Sequence, residues 1–256
     1  MDVFFYMEVS MEEEFSKYVS NYDLSNTNIN RKYNHSFRVM ELSKKYSKML
    51  GFNKHDIELA TVIGLLHDIG RFEQWKVYGT FIDRYSVDHA DYGVEVLTKD
   101  NYLRKYIKDD KYDKIILDAI GYHNKYKLPD DLGGQGKMFA QIIRDADKID
   151  ILYLRVIQEL KIEIDENALS DDIYKSLINK KDIQIKDLKT KTDRLGITLG
   201  FIFDINYKES YKILKEVKYF DKIIDLYKEK TDNEELKRQL EEIRKTINEY
   251  IEVNLC

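Results

Sequence analysis

Leu66-His67-Asp68-Ile69-Gly70 sets an imidazole beside a carboxylate at the end of a run, Ile57 to Leu66, built mostly of Ile, Leu, Val, Ala and Gly. Burying such a pair costs on the order of several kcal/mol unless something compensates it. A metal ion does so, because it takes deprotonated oxygen and neutral nitrogen ligands that are otherwise unwelcome in an apolar interior. More groups of this kind occur at helix-compatible positions: His35, His89, His123 and Asp147. Of the five histidines only His55 stands apart, at an exposed helix start. One such histidine alone reads as a hydrogen-bonded core residue. Four of them, on inward stripes of different helices and joined by Asp68 and Asp147, point to a metal site assembled from several helices. Imidazole with carboxylate suits one or two divalent transition-metal ions (Mn, Fe, Co, Ni or Zn), whereas a lone Mg site would use oxygen and water.

The elements that must position these groups read as helices. One proline, Pro129, and eleven glycines in 256 residues leave room for long uninterrupted helices. From His35, the residues Val39, Leu42, Tyr46 and Met49 recur every three or four positions, with Gly51 as a stop. Asn53 looks like the N-cap of a helix from Lys54 to Ile69, with Asp56 near its positive end. A third helix is expected after Ser86 or Asp88, a fourth from Tyr112 carrying His123, and a long one from Lys137 to Leu160. Asn124 to Gly136 reads as a loop. Residues 161–190 are highly charged; Thr198 to Asn206 fits a buried strand, and in an all-helical neighbourhood fits a core helix better. The tail from Asn233 to Val253 places Leu236, Leu240, Ile243, Ile247 and Tyr250 on one face, which reads as a terminal helix packed on its own domain before a homodimerising coiled coil. The expectation is an all-α protein: a helical core over residues 1–160 and a helical extension over 161–256, or the two as one domain.

Composition narrows the function classes. The chain is 35% charged with 42 basic and 47 acidic residues, net −5, a balance without a strong nucleic-acid signal. The only cysteine, Cys256, excludes an intramolecular disulfide framework and thiolate zinc sites, and suits a reducing cytosol. The run Met1 to Glu8 has no basic region and makes a poor signal peptide. No uncharged stretch is long enough to span a membrane. A cytoplasmic protein is expected.

His35, His67-Asp68 and Asp147 together resemble the defining pattern of the HD-domain superfamily of metal-dependent phosphohydrolases. The resemblance extends to Asn34-His35-Ser36-Phe37-Arg38-Val39, to the HDIG form of His67 to Gly70, and to Arg144-Asp145-Ala146-Asp147-Lys148, covering about residues 30–160. His89 in Asp88-His89-Ala90-Asp91-Tyr92-Gly93 and His123 in Gly121-Tyr122-His123-Asn124 are similar to the two extra histidines of binuclear members. The resemblance implies one metal on His35, His67, Asp68 and Asp147, a second on His89 and His123, and Asp68 bridging both. The chain departs from the cyclic-di-GMP phosphodiesterase branch: Asn124 follows His123, and Tyr126-Lys127-Leu128-Pro129 stands where that branch has Gly-Tyr-Pro.

The implied reaction is hydrolysis of a phosphoester or phosphoanhydride in a small phosphorylated substrate, with a nucleotide expected. Asp68 would hold the ions that activate water, and Arg71 and Lys148 are the candidates for meeting phosphate charge. Arg38, one turn from His35, is a weaker candidate, and Asp145 and Asp150 read as groups that orient ligands. Phe72 to Arg84, with Trp75, Tyr78 and Phe81, reads equally as a substrate-covering loop or as simple packing. Gly133-Gly134-Gln135-Gly136-Lys137 fails as a phosphate loop because Met138 stands where Ser or Thr would bind magnesium. No Gly-x-Ser-x-Gly elbow is present. Two alternatives stay open: a di-iron oxygenase, since some HD-fold proteins use the same six ligands for dioxygen, and a non-catalytic nucleotide-binding sensor signalling through its C-terminal helices.

Overall fold

The computed structural model describes residues 10–256, so the Met1 to Glu8 run lies outside it. Among the described residues the regular structure is helical, with no strand. The chain divides into two compact units, up to Ala146 and from Asp147 onward. The division falls within one continuous helix, α7.

The first unit holds α1 (Met11–Val19), α2 (Thr27–Met49), α3 (Lys54–Leu66), α4 (Gly70–Tyr78), α5 (His89–Thr98), α6 (Asp113–Tyr122) and the start of α7 (Gly134–Val156). Helix α2 begins two turns earlier than its apolar periodicity suggests. Asn26 caps it through its side-chain oxygen, and Ile29 is the one buried residue before His35. Helix α3 is buried along every residue from Leu59 to Leu66, as a helix that is apolar all round must be. It packs on α2 at close range: a Cβ on Gly64 would sit 2.8 Å from Ser43 Oγ and 2.9 Å from Met40 Cα.

Asn53 caps α3 as the sequence indicates, but the helix ends at Leu66 and not at Ile69. His67 to Ile69 form a tight turn, with Ile69 N–H bonded to the Leu66 carbonyl and Arg71 N–H to that of Asp68. Three-residue bonds of this type tighten a helix end without leaving right-handed backbone, so periodicity alone does not reveal the break. The chain resumes at once as α4. Phe72 to Tyr78 is therefore helix, with Phe72 fully buried, and residues 79–88 remain as a strap that holds one short 3-10 turn, Asp83–Tyr85. Helix α5 is capped by Asp88, whose carboxylate accepts from the N–H groups of Ala90 and Asp91.

The second unit holds the rest of α7 with α8 (Asp171–Ile178), α9 (Asp193–Gly200), α10 (Lys208–Val217), α11 (Tyr219–Glu229) and α12 (Glu234–Leu255). Thr198 to Asn206 closes α9 and forms a short 3-10 turn, the helical option. The apolar stripe of α12 (Leu236, Leu240, Ile243, Ile247) is buried, and the helix packs on α8, α10 and α11. Gln239, buried on that stripe, accepts from Leu169 N–H at 2.9 Å and donates to the Leu169 carbonyl at 3.1 Å. Gln239→Ala strands both backbone groups, and chemical denaturation should show a loss of about 2 kcal/mol or more; an unchanged midpoint would show that the pair contributes nothing.

Candidate metal centre

Four elements of the first unit bring His35, His67, Asp68, His89 and His123 into one buried cluster. His35 lies on α2, His67 and Asp68 in the turn after α3, His89 at the first position of α5 and His123 just past α6. All five side chains are buried, His67 completely. The two oxygens of Asp68 face different histidines. Oδ2 lies 3.4 Å from His35 Nε2 and 3.5 Å from His67 Nε2. Oδ1 lies 3.6 Å from His89 Nε2 and 3.8 Å from His123 Nε2. Within each pair the Nε2 atoms are close, 3.2 Å for His35 and His67 and 3.1 Å for His89 and His123.

The outward nitrogens decide where the protons sit. His67 Nδ1 lies 2.9 Å from the Gly64 carbonyl, and His123 Nδ1 lies 2.7 Å from that of Ile120. A carbonyl only accepts, so each ring carries its proton on Nδ1 and turns a lone pair inward. Lone pairs and a carboxylate converging at these distances in a buried cluster form a set that can hold a cation. The donor set therefore fits a divalent transition metal.

His67, Asp68 and His123 each offer a ligand atom within 4.8 Å of one another. Residues 33–152 match the family model of the HD domain. That stretch is an HD domain. HD domains bind divalent metals and are in general metal-dependent phosphohydrolases, and the family's all-helical architecture is the one observed here. Comparison with curated proteins and with solved structures gave no match. Among the described residues no helix is long and apolar enough to cross a membrane.

The other candidates of this HD domain take different places. Arg71 reaches the cluster: its Nε lies 3.5 Å from Asp68 Oδ1, buried and with no hydrogen-bond partner among the described residues. Asp147 follows Ala146 on α7 and is half-buried, and Asp145 and Asp150 are buried on the same helix. Lys148 is held by Asp204, 2.7 Å away. Arg38 is half-buried on α2, and His55 packs against Tyr112 with centroids 4.4 Å apart and the rings tilted. Asp83, Asp88 and His89 form a further acidic group, but Asp88 is engaged as the α5 cap and by Lys125 at 2.8 Å.

Three participants escape the sequence patterns. Lys32 places Nζ 2.5 Å from Asp68 Oδ2, from the polar opening turns of α2 that carry no apolar stripe. Asp83, on the strap, contacts both His89 and Arg71. Arg144, buried in α7, donates to the carbonyls of Tyr122, His123 and Lys125 and so fixes the backbone at His123. Its place within the Arg144 to Lys148 motif was the available signal; Lys32 and Asp83 had none beyond residue type.

Burial acts to raise the Asp68 carboxyl, but Lys32 foremost, then His67 and His35, hold it well below the usual carboxylate range. His89 is pushed below the ordinary imidazole value by burial and by Arg71, with Asp83 and Asp68 opposing. Both folded values lie below the unfolded ones, so the unfolded chain binds more protons on acidification. The His89 contribution is present above about pH 6.5 and fades as pH falls below it; that of Asp68 is present above about pH 4 and fades below that. Chelator-treated protein should therefore lose thermal stability stepwise from pH 7 downward. A melting temperature that stays flat or rises on acidification would contradict these assignments.

Proposed function

We propose that the chain is a binuclear metal-dependent phosphohydrolase acting on a phosphoester or phosphoanhydride bond of a nucleotide or similar small phosphorylated molecule. The observation that carries this reading is the division of Asp68 between two histidine pairs. His35, His67 and Asp68 Oδ2 would hold one ion; His89, His123 and Asp68 Oδ1 would hold the other. Bound there, divalent ions supply Lewis acidity toward phosphoryl oxygens and make water nucleophilic near neutral pH.

The chain's own groups supply the rest. Arg71 and Lys32 approach Asp68 from opposite oxygens and would take the remaining phosphate charge, Arg71 through the Nε side that faces Asp68 and Lys32 as a point charge. Lys148 is committed to Asp204, so phosphate binding is assigned to the other two cations. Phe81 on the strap lies below both, its centroid 5.9 Å from Lys32 Nζ and 5.7 Å from the Arg71 guanidinium carbon, and packs against Trp75 with the rings tilted and their centroids 4.8 Å apart. An aromatic surface beside two phosphate-binding cations favours a substrate that carries a base.

Metal analysis of anaerobically purified protein, followed by a panel of phosphomonoesters, phosphodiesters and nucleotides, tests this reading. Two ions per chain and metal-dependent phosphoester or phosphoanhydride cleavage are expected. A mixed-valent di-iron spectrum with dioxygen consumption and no P–O cleavage would instead identify an oxygenase. His67→Ala and Asp68→Ala proteins that lose metal yet keep every measurable function would exclude both enzymes and leave a sensor.

A further inference from the structure

Resting on the two-ion reading above, we propose that Asp83 is a positioning residue for the His89 half of the centre: one carboxylate fixes the tautomer of His89 and aims Arg71. The need for it follows from where His89 sits. His67 and His123 each donate Nδ1–H to the carbonyl three residues earlier in their own helices, those of Gly64 and Ile120. His89 is the first residue of α5, preceded by the Asp88 cap and irregular backbone, so its helix offers no such carbonyl. Asp83 Oδ2 replaces it, 2.6 Å from His89 Nδ1. A carboxylate accepts only, so the ring proton belongs on Nδ1 and the Nε2 lone pair faces Asp68 Oδ1 at 3.6 Å. A carboxylate partner also makes the ring a more basic ligand than a carbonyl would.

The second oxygen serves the substrate side. Asp83 Oδ1 accepts from Arg71 Nη1 at 2.8 Å and from Gln74 Nε2 at 2.9 Å. Arg71 Nη1 also donates to Gln74 Oε1 and to the Phe81 carbonyl, which leaves its Nε directed to Asp68. Gln74, fully buried, donates to Ser86 Oγ and the Val87 carbonyl, so the strap is tied to α4 on both sides of Asp83. A single side chain thereby sets a metal ligand, a phosphate-binding cation and the segment bearing Phe81.

The test uses the full chain with Asp83→Ala. Long-range nitrogen–proton correlation spectra of the chelator-treated protein report the tautomer of each histidine, with His89 assigned from the spectrum of His89→Ala. Wild-type His89 is expected as the Nδ1–H form alone, and in Asp83→Ala as a mixture. Competition titration with zinc should show the second ion bound roughly 10–100-fold more weakly and the first unchanged. Asp83→Asn preserves shape but offers one acceptor oxygen in place of two; a smaller loss in the same direction is expected, and it serves if the alanine variant fails to fold. An unchanged tautomer, or an unchanged second-ion affinity, overturns the assignment. If His89→Ala binds as many ions as wild type, the two-ion reading fails, whereas the tautomer shift still decides what Asp83 does to His89.

Discussion

Asp68→Ala is expected to bind neither ion and to lose hydrolytic activity by at least roughly 10³-fold. Its two oxygens divide between the histidine pairs, Oδ2 toward His35 and His67 and Oδ1 toward His89 and His123. Removing it also strips the carboxylate from Lys32 and from the Nε of Arg71, leaving cations where a metal has to bind. His89→Ala provides the contrast. It takes a ligand from one side of Asp68 only, so the second ion should be lost and the first kept. Metal content of the two purified variants, measured with activity, checks both statements. An Asp68→Ala protein retaining two ions would remove Asp68 from the bridging position.

The second large effect is expected from a residue with no chemistry of its own. A Cβ on Gly70 would lie 2.5 Å from Gly93 N, 2.6 Å from the His89 carbonyl oxygen and 2.9 Å from Tyr92 C. These are backbone atoms of α5, which no rotamer change can move aside, so α4 and α5 must separate. Gly70→Ala should therefore destabilise the protein by about 3 kcal/mol or more, at the upper end of overpacking effects. Because His89 opens α5, the same shift should displace it and release the second ion first. Gly79→Ala makes a useful comparison. Gly79 is left-handed (φ +64°) but faces open space, so alanine there costs only about 1–2 kcal/mol of backbone strain. Denaturant titration of both variants should rank Gly70→Ala well above Gly79→Ala. Equal losses would mean that the α4–α5 approach is not tight.

Much of the site was legible in the sequence because its residues violate the apolar pattern around them. His67 and Asp68 stand out after eight successive buried positions, Leu59 to Leu66, and His35 and His123 lie on otherwise apolar stripes. The Asn53 and Asp88 caps were readable for the same local reason, a short polar side chain just ahead of a helix. What escaped was set by geometry at longer range. Periodicity cannot separate one helix from two that join through a right-handed turn, so the break at His67 to Ile69 and the helical state of Phe72 to Tyr78 emerge only from the backbone. Lys32 sits in a polar stretch and reaches Asp68 across 36 positions of sequence. Asp83 looks like a loop aspartate until His89 and Arg71 are seen beside it. Lys148, adjacent to Asp147 in sequence, turned out to be occupied by Asp204, a partner nothing local announces.

Anomalous diffraction from crystals of the metal-loaded protein tests the central claim most directly. Two peaks are predicted, one among His35, His67 and Asp68 Oδ2 and the other among His89, His123 and Asp68 Oδ1. A single peak, or two peaks of which one lies away from Asp68, would contradict a centre built on the shared carboxylate.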